Sequence, residues 1–495
     1  MKPTTFFVFA ALMLHGAAAS AGGLEMPDQG AEAVGRGGAF TAKADNATAV
    51  HYNVAGLAQQ RGTRAYLGSN ASTSSTVFRR EGTYADDPNN PATPWGGRAY
   101  PAVDNEGGMK AFPFLAVTSD FGLESAAFAL AVHTPPASNY AGRVYPLVVN
   151  GMPSPARYDQ VGGGSSSLIY YTGAAGFRLG SAVDLGVAVT AVSTRIQTRS
   201  VSYLDAGSAC GNGEFHGCDG RAEGEVSGWT ATGAIGLLAR LGDSYTLGAH
   251  VRGPVMIDAS GQSASTAPTA LGGQSQGAKG FELRTALPVV ARLGLRKAFP
   301  GARGEIGDIE IDATYERWSD AQSPGPRARF EMLATTPNAQ VTQLHNYNDT
   351  FSLRLGGAYN VPVGDSRLSF RGGAFYDSTA TPSAWTRLDA DTLAKIATTL
   401  GVGAKVGSFR FDVAYAAVFD VSRTVTDGQL RPVNALKGGA SVDATGKDLP
   451  VVNNGSYSGF THLFSAAVVV ELDYLFGFGR GATPKFGGGP VVGSR

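Results

Sequence analysis

From about residue 63 onward the chain alternates: runs of roughly 10 to 18 residues place an apolar side chain at every second position and are parted by Gly, Pro, Asn and Asp clusters. In an extended backbone successive side chains point to opposite faces, so each run has one apolar and one polar face. In "FSLRLGGAYNV", Phe351, Leu353, Leu355, Tyr359 and Val361 share a face against Ser352, Arg354 and Asn360. "FRFDVAYAAVFDV" sets Phe409, Phe411, Val413, Tyr415, Phe419 and Val421 against Arg410, Asp412 and Asp420. "IEIDATYERW" sets Ile309, Ile311 and Tyr315 against Glu310, Asp312, Thr314 and Glu316. "HLFSAAVVVELDYLF" alternates from Phe464 to Phe476 around Ser465, Glu471 and Asp473.

Alternation alone also suits a soluble β-sandwich, whose apolar face is its core. Run length separates the two: globular strands have about 5 to 6 residues, whereas a tilted strand needs about 9 to 11 to cross the apolar layer of a membrane. The reading is an all-β chain, a transmembrane antiparallel β-barrel of about 14 strands, at approximately 63–79, 111–120, 125–134, 165–179, 183–203, 224–241, 244–258, 281–298, 306–319, 349–361, 366–377, 395–406, 408–422 and 458–476. Short links such as "GSAV", "LGDS" and "PVGD" alternate with long ones at 80–110, 135–164, 204–222, 259–280, 320–348, 378–394 and 424–457. Short periplasmic turns and long outer loops are the outer-membrane arrangement. Trp318, Phe351, Tyr359, Tyr474 and Phe476, near strand ends, are expected in the interfacial girdles, and Glu310, Arg354, Arg371, Arg410 and Asp412 in a polar interior.

Lys2, the apolar run Phe6 to Leu14 and Ala19-Ser20-Ala21 read as a signal peptide, 1–21, cut before Gly22. The run is too short for a spanning helix, which needs ~20 apolar residues. Formal net charge is zero, which leaves no basic footprint for nucleic acid. Cys210 and Cys218 in "CGNGEFHGC" are expected to form a disulfide in an exported loop; ligation of a metal by Cys210, His216 and Cys218 is the lesser alternative, lacking a fourth ligand. "GRGGAF" has no Gly-Lys-Ser/Thr ending, so nothing points to nucleotide-driven work. His133, His250 and His462 lie on separate strand candidates without a local nucleophile pattern, so no catalytic residue and no cofactor is assigned.

Residues 22–60 stand apart, being rich in Gly, Ala and small polar residues without strand alternation. "GRGGAF…ADNATAVHYNVAGLA" resembles the start of the FadL/TodX (OmpP1) family of outer-membrane transporters for long-chain fatty acids and other hydrophobic compounds. Gly35, Arg36, Ala39 and Phe40, then Ala44 to Thr48, then Tyr52, Asn53, Ala55 and Gly56 carry the resemblance, with Val54 where the family has Pro. "IDATYERWSD", "FRGGAFYDSTATP" and "NGSYSGFTHLFSAAVVV" extend it in order along the chain.

The resemblance implies a monomeric barrel at 61–478 with an N-terminal hatch, or plug, at 22–60, capture of a hydrophobic small molecule and its lateral, passive release toward outer-membrane lipid. Tyr52, Asn53, Val54, Ala55 and Gly56 are the expected gating element. Arg354, Arg371 and Arg410 are candidate contacts for a ligand carboxylate, against the plainer role of pairing with acids such as Asp412. His51 is either a pH sensor or a satisfied interior histidine. The chain continues past Phe476 into a flexible, Gly-rich tail, 479–495, so either Phe476 is an internal aromatic signal for the barrel insertion machinery or the tail is an addition. A general porin for small polar solutes and an outer-membrane lipid hydrolase are the competing readings.

Overall fold

The computed structural model describes residues 29–85, 94–135, 144–159, 167–203, 216–269, 272–273, 275–323, 325–330, 339–388, 393–432, 440–443 and 445–473. Among them, fourteen antiparallel strands close into a barrel. The first six are β1 (Arg64–Arg80), β2 (Lys110–Ser119), β3 (Ala126–His133), β4 (Ser167–Leu179), β5 (Val183–Tyr203) and β6 (Asp219–Leu241). β7 runs as Tyr245–Arg252 and Val255–Thr266, and β8 as Ser275–Leu287 and Val290–Gly301. Then come β9 (Gly304–Glu316), β10 (Thr350–Val363), β11 (Ser366–Asp377), β12 (Lys395–Val406), β13 (Phe409–Asp420) and β14 (Gly455–Glu471). β1 pairs with β14 from Arg64 opposite Glu471 to Arg80 opposite Gly455, and with β2 on its other side, so the sheet has no edge. Hydrocarbon offers backbone groups no partner, and closure removes the need for one. Pro254 and Pro288, which lack an N–H, stand at the breaks in β7 and β8.

Side-chain parity gives the wall its two faces. On β9, Ile309 and Ile311 are each 53% exposed while Glu310 and Asp312 are 0% and 1% exposed: apolar residues face out and acids face in. The expected strands and the expected rims are both present. Links at 120–125, 180–182, 242–244, 302–303, 364–365 and 407–408 form the short-turn rim, where Gly180 and Gly407 take positive φ (65° and 56°), as tight hairpins require.

Two expectations are corrected. The long loop expected at 259–280 is largely strand, since β7 continues to Thr266 and β8 begins at Ser275. Its Ser-, Gly- and Gln-rich positions carry no apolar alternation, and the exposed Arg284–Asp258 pair (3.1 Å) stands just before it on the same two strands. Trp318 is not in a girdle: it is fully buried, donating from Nε1 to Glu316 (2.6 Å) and meeting Tyr347 edge-on. β9 ends at Glu316 and the chain turns through Arg317 into the short helix Trp318–Gln322, so strand parity no longer governs where Trp318 points. Phe351 and Tyr359 do face outward, 39% and 59% exposed. Tyr474, Phe476, the tail, the leader and Cys210 lie outside the described residues, while Cys218 is buried.

If the outward face meets lipid, replacing Ile311 by Arg costs about 2–4 kcal/mol of stability near the bilayer midplane. Reversible urea unfolding from lipid vesicles measures this; a neutral Ile311→Arg change would mean that this face does not contact hydrocarbon.

Candidate functional site

Residues Gln29–Gln60 are buried almost throughout and are ringed by inward-facing residues of most of the strands, which places the segment inside the barrel. Its helical pieces, α1 (Ala31–Val34), α2 (Ala49–Tyr52) and the 3₁₀ turn Val54–Gln59, are too short to stand alone and take their stability from the wall. Small residues are needed on both sides of the contact. A Cβ at Gly356 or Gly373 would run into the backbone at Arg36–Gly37.

One strand holds the segment by its backbone. Asp312 Oδ2 accepts from the N–H groups of Phe40 and Thr41 (2.9 Å each), and Glu310 Oε1 accepts from those of Ala42 (2.6 Å) and Lys43 (3.3 Å). Arg36 completes the grip with a two-pronged contact to Asp308 (2.8 and 2.6 Å), a further bond to Glu310 (3.3 Å) and Nε to the carbonyl of Ala39 (3.1 Å). Planar, charge-assisted pairs of this kind are among the strongest available to a protein. Arg36, Asp308 and Asp312 were not singled out from the sequence as site residues. The available signal was an arginine in a nearly uncharged run of small residues.

Across the lumen the polarity reverses, and the barrel supplies cations to Glu32. Arg410 and Arg371 of the wall lie 2.6 and 3.7 Å from it, and within the segment itself Lys43 lies at 3.6 Å and Asn46 Nδ2 donates at 2.8 Å. Arg410 and Arg371 also meet Asp412 (2.8 and 2.9 Å), and Arg354 bonds Asp377 (2.8 Å) and the carbonyl of Gly37 (3.1 Å). All three expected lumen arginines thus face inward and are engaged by acids or by the segment itself.

The expected gating element lies against β4, β5 and β6. Asn53 caps the 3₁₀ turn through Oδ1 and Ala55 N–H (3.2 Å), and its Nδ2 ties Thr41 O to Leu237 O on the wall (2.9 Å each). Val54 costs no geometry, because Asn53 is already extended (φ −161°, ψ 105°), as a following proline would favour. Tyr52 accepts through its hydroxyl from Gln29 N–H (2.8 Å), and Gly56 packs on Ala44 where no side chain would fit.

Breaking the grip has a defined cost. Arg36→Ala strands buried carboxylates and is expected to weaken docking by about 3–5 kcal/mol. It should turn a nearly silent protein into an ion-conducting one in planar bilayers, and unchanged conductance would show that Arg36 does not hold the segment. Acid should act in the same direction. Burial opposes ionisation of Glu32, but Arg410, Lys43, Arg371 and Arg36 overcome it and hold the carboxyl well below its ordinary 4.5, so that docking energy is present above pH 4.5 and lost as pH falls. Burial first, then Arg292, His133, Arg252 and His250, hold His51 neutral, well below its ordinary 6.5, so a released His51 takes up a proton as pH drops through 6.5 and docking weakens further. Limited proteolysis of the segment should accelerate below pH 6.5 and again below 4.5; a rate independent of pH would refute this.

Above the segment the inner wall changes character. Leu168, Tyr170, Val192, Val226, Ile257 and Leu287 point inward and pack with Phe281, Trp318 and Tyr347 as a buried apolar cluster on the long-loop side. Tyr170 touches His133 (ring centroids 5.3 Å), which stacks on Phe114 (5.0 Å), which meets Tyr66 (5.4 Å). This aromatic line leads to β3, the weakest part of the wall. β3 ends at His133, so Ser167–Ile169 of β4 and Lys110–Phe112 of β2 have no β3 partner among the described residues. Beyond it the Thr134 carbonyl accepts from Gln29 Nε2 (2.9 Å), at the start of the lumen segment. On the outside an apolar groove of about 750 Å³ lies across β14, β1, β2, β3 and β4, lined by Leu67, Leu115, Val117, Leu130, Val132 and Tyr171 among others.

The family model described as "Outer membrane protein transport protein (OMPP1/FadL/TodX)" matches residues 12–450. No curated protein matches the chain. Among solved structures, a Pseudomonas aeruginosa FadL homologue superimposes with a TM-score of 0.66 at 18% identity, over 91% of this chain and 100% of that one. The Ralstonia pickettii toluene transporter TbuX gives 0.61 at 16% (90% and 98%), and the Pseudomonas putida toluene transporter TodX 0.58 at 16% (90% and 98%). At these identities the likeness is one of fold.

Proposed function

Because the chain belongs to the OMPP1/FadL/TodX family of outer membrane transport proteins, we propose that it carries hydrophobic small molecules passively across the outer membrane, with residues 22–60 as the hatch. The observation that carries the reading is the pairing of an inward-facing apolar cluster with a lumen closed beneath it by the ion-paired segment. Burial of a hydrocarbon gains ~0.8 kcal/mol per methylene, which the apolar cluster can supply and a water-filled pore cannot. Cargo enters from the long-loop side, rests in the cluster and leaves along Tyr170, His133 and Phe114 through the shortened wall at β3. The outer groove beside it then receives the cargo. Tyr52, Asn53, Val54, Ala55 and Gly56 gate this step by tying the segment to β4–β6, while Arg354, Arg371 and Arg410 keep the segment docked.

The same reading assigns 1–21 to a cleaved leader, 61–478 to the barrel, 479–495 to a tail and Cys210–Cys218 to a disulfide in an outer loop. It takes the protein to be a monomer placed by the barrel insertion machinery. A general porin is disfavoured because the docked segment occupies the lumen.

Uptake of labelled long-chain fatty acid and of labelled toluene, by cells lacking their own transporter and expressing this chain, tests the proposal. Uptake of at least one cargo by the intact protein, lost on deletion of residues 22–58, is the expected result. A correctly inserted protein that admits neither would refute it.

A further inference from the structure

The wall has a second weak place, away from β3. Tyr245–Arg252 of β7 pair with Leu241–Ala234 of β6, and Ser260–Thr266 with Ser227–Arg221, but Gly228 to Gly233 have no ladder partner on β7 among the described residues. Between the two ladders β7 takes eight steps where β6 takes seven, so an extra residue is bulged out around Gly253-Pro254. Pro254 has no N–H to give, and it stands level with Pro288 of β8, since Arg252 faces Val290 and Val255 faces Leu287. At the lower end of the gap Gly253 N–H donates to the Gly233 carbonyl (2.9 Å) and Thr232 Oγ1 to the Gly253 carbonyl (3.0 Å). Thr285 to Val289 of β8 also lack a strand on their far side, but there the helix Trp318–Gln322 fills in, with Gln322 Nε2 donating to the Ala286 carbonyl (2.8 Å).

The β6–β7 gap lies between two apolar surfaces. Inside stand Val226, Val255, Ile257 and Leu287 of the buried cluster; outside stand Trp229 and Met256, 67% and 61% exposed. Trp229 stacks on Tyr171 of β4 (ring centroids 5.6 Å), and above it the outward face turns ionic, with Glu225 on Arg195 (2.8 Å) and Glu223 on Arg199 (3.0 Å). The aromatic pair thus marks the outer edge of the apolar band, and the gap opens just inside it, at the depth of the outer leaflet. The groove beside β3 lies lower, reaching Val470 next to the end of β14 at the short-turn rim. Parting two strands in hydrocarbon strands a backbone group at every ladder bond broken, and here there is little ladder to break. Met256, unbranched and free to change rotamer, covers the gap from outside.

We propose that hydrophobic molecules already dissolved in the outer leaflet enter the apolar cluster sideways, between Gly228–Gly233 of β6 and Pro254–Ile257 of β7. The inference rests on the transport reading above and adds a source of cargo to it, namely compounds too insoluble to arrive through water at the long-loop mouth. With release at β3, it makes the barrel a route from the outer to the inner leaflet of one membrane.

Pinning the gap tests this. A Cβ at Gly233 meets nothing nearer than 3.5 Å, and one at Gly253 meets first the movable Thr232 hydroxyl at 3.2 Å, so Gly233→Cys combined with Gly253→Cys can be oxidised across it. Labelled hexadecane and labelled toluene are supplied to cells lacking their own transporter, and label reaching the inner membrane is measured before and after oxidation, with the wild type treated identically. Hexadecane reaches the protein from the leaflet, whereas toluene dissolves well enough in water to use the mouth. Oxidation is expected to cut hexadecane delivery at least fivefold, to leave toluene within twofold and to be reversed by reductant. Met256→Cys, folded first and then labelled with a bulky maleimide, gives the same readout should the double variant fail to fold. Unchanged hexadecane delivery in both variants, or parallel loss of both cargoes, would overturn the side entry and leave transport standing. So would a wild type that carries toluene or the long-chain fatty acid but not hexadecane. A wild type that carries none of the three would overturn both.

Discussion

Everything in this molecule follows from the rule that no backbone N–H or C=O may face hydrocarbon unpaired. For a β-structure the rule is met only by closure, and the pairing of β1 with β14 along all of β1 provides it. Closure in turn forces the side chains into two populations. Ile309, Ile311, Leu353 and Leu355 go to the outside, and Glu310, Asp312 and Arg354 have no choice but the lumen. A ring of inward charges is costly to bury unless each finds a counterpart. The lumen segment supplies those counterparts: Arg36 and four backbone N–H groups for the acids of β9, and Glu32 for the cations of β11 and β13. The segment and the barrel therefore solve each other's electrostatic problem.

The barrel was legible because its rule is local. Strand parity can be read within ten residues, and the ranges expected from it coincide with most of β1–β14 to within a few positions. Where the reading erred, locality failed. Trp318 sits two residues past the end of β9, where a turn through Arg317 resets side-chain direction, so counting by twos sends it to the wrong side. The extension of β7 and β8 beyond the apolar layer lost its alternation because no hydrocarbon selects for it; Ser260, Gln262 and Thr266 are ladder residues that look like loop.

The site was less legible for the opposite reason. Arg36 and Asp308 are 272 residues apart, and nothing in either neighbourhood names the other. Parity could say that Arg354, Arg371 and Arg410 face inward, but not that Gly37, Glu32 and Asp412 would be waiting there. The motif around Asn53 was visible in the sequence, whereas its structural part, a cap that also bridges Thr41 to Leu237, needed the wall to be present. Val54 shows how a departure from the family pattern can be silent: the extended Asn53 that proline would enforce is reached here by capping and burial instead.

The distribution of polarity along the barrel axis sets the path of the proposed transport. Near the short-turn rim, charge is dense and largely ion-paired, so an apolar molecule gains nothing by descending there and would have to break buried ion pairs to do so. Toward the long-loop rim the inward face is apolar, and burial is favourable. Between them, at the level of His133, β3 stops short of its neighbours and the aromatic line from Tyr170 to Tyr66 runs sideways rather than down. On the proposed route a cargo following the gradient of burial free energy passes through the wall and not past the lumen segment. Because Gln29 joins Tyr52 to Thr134 at that point, the proposed gating couples movement of the segment to opening of the wall.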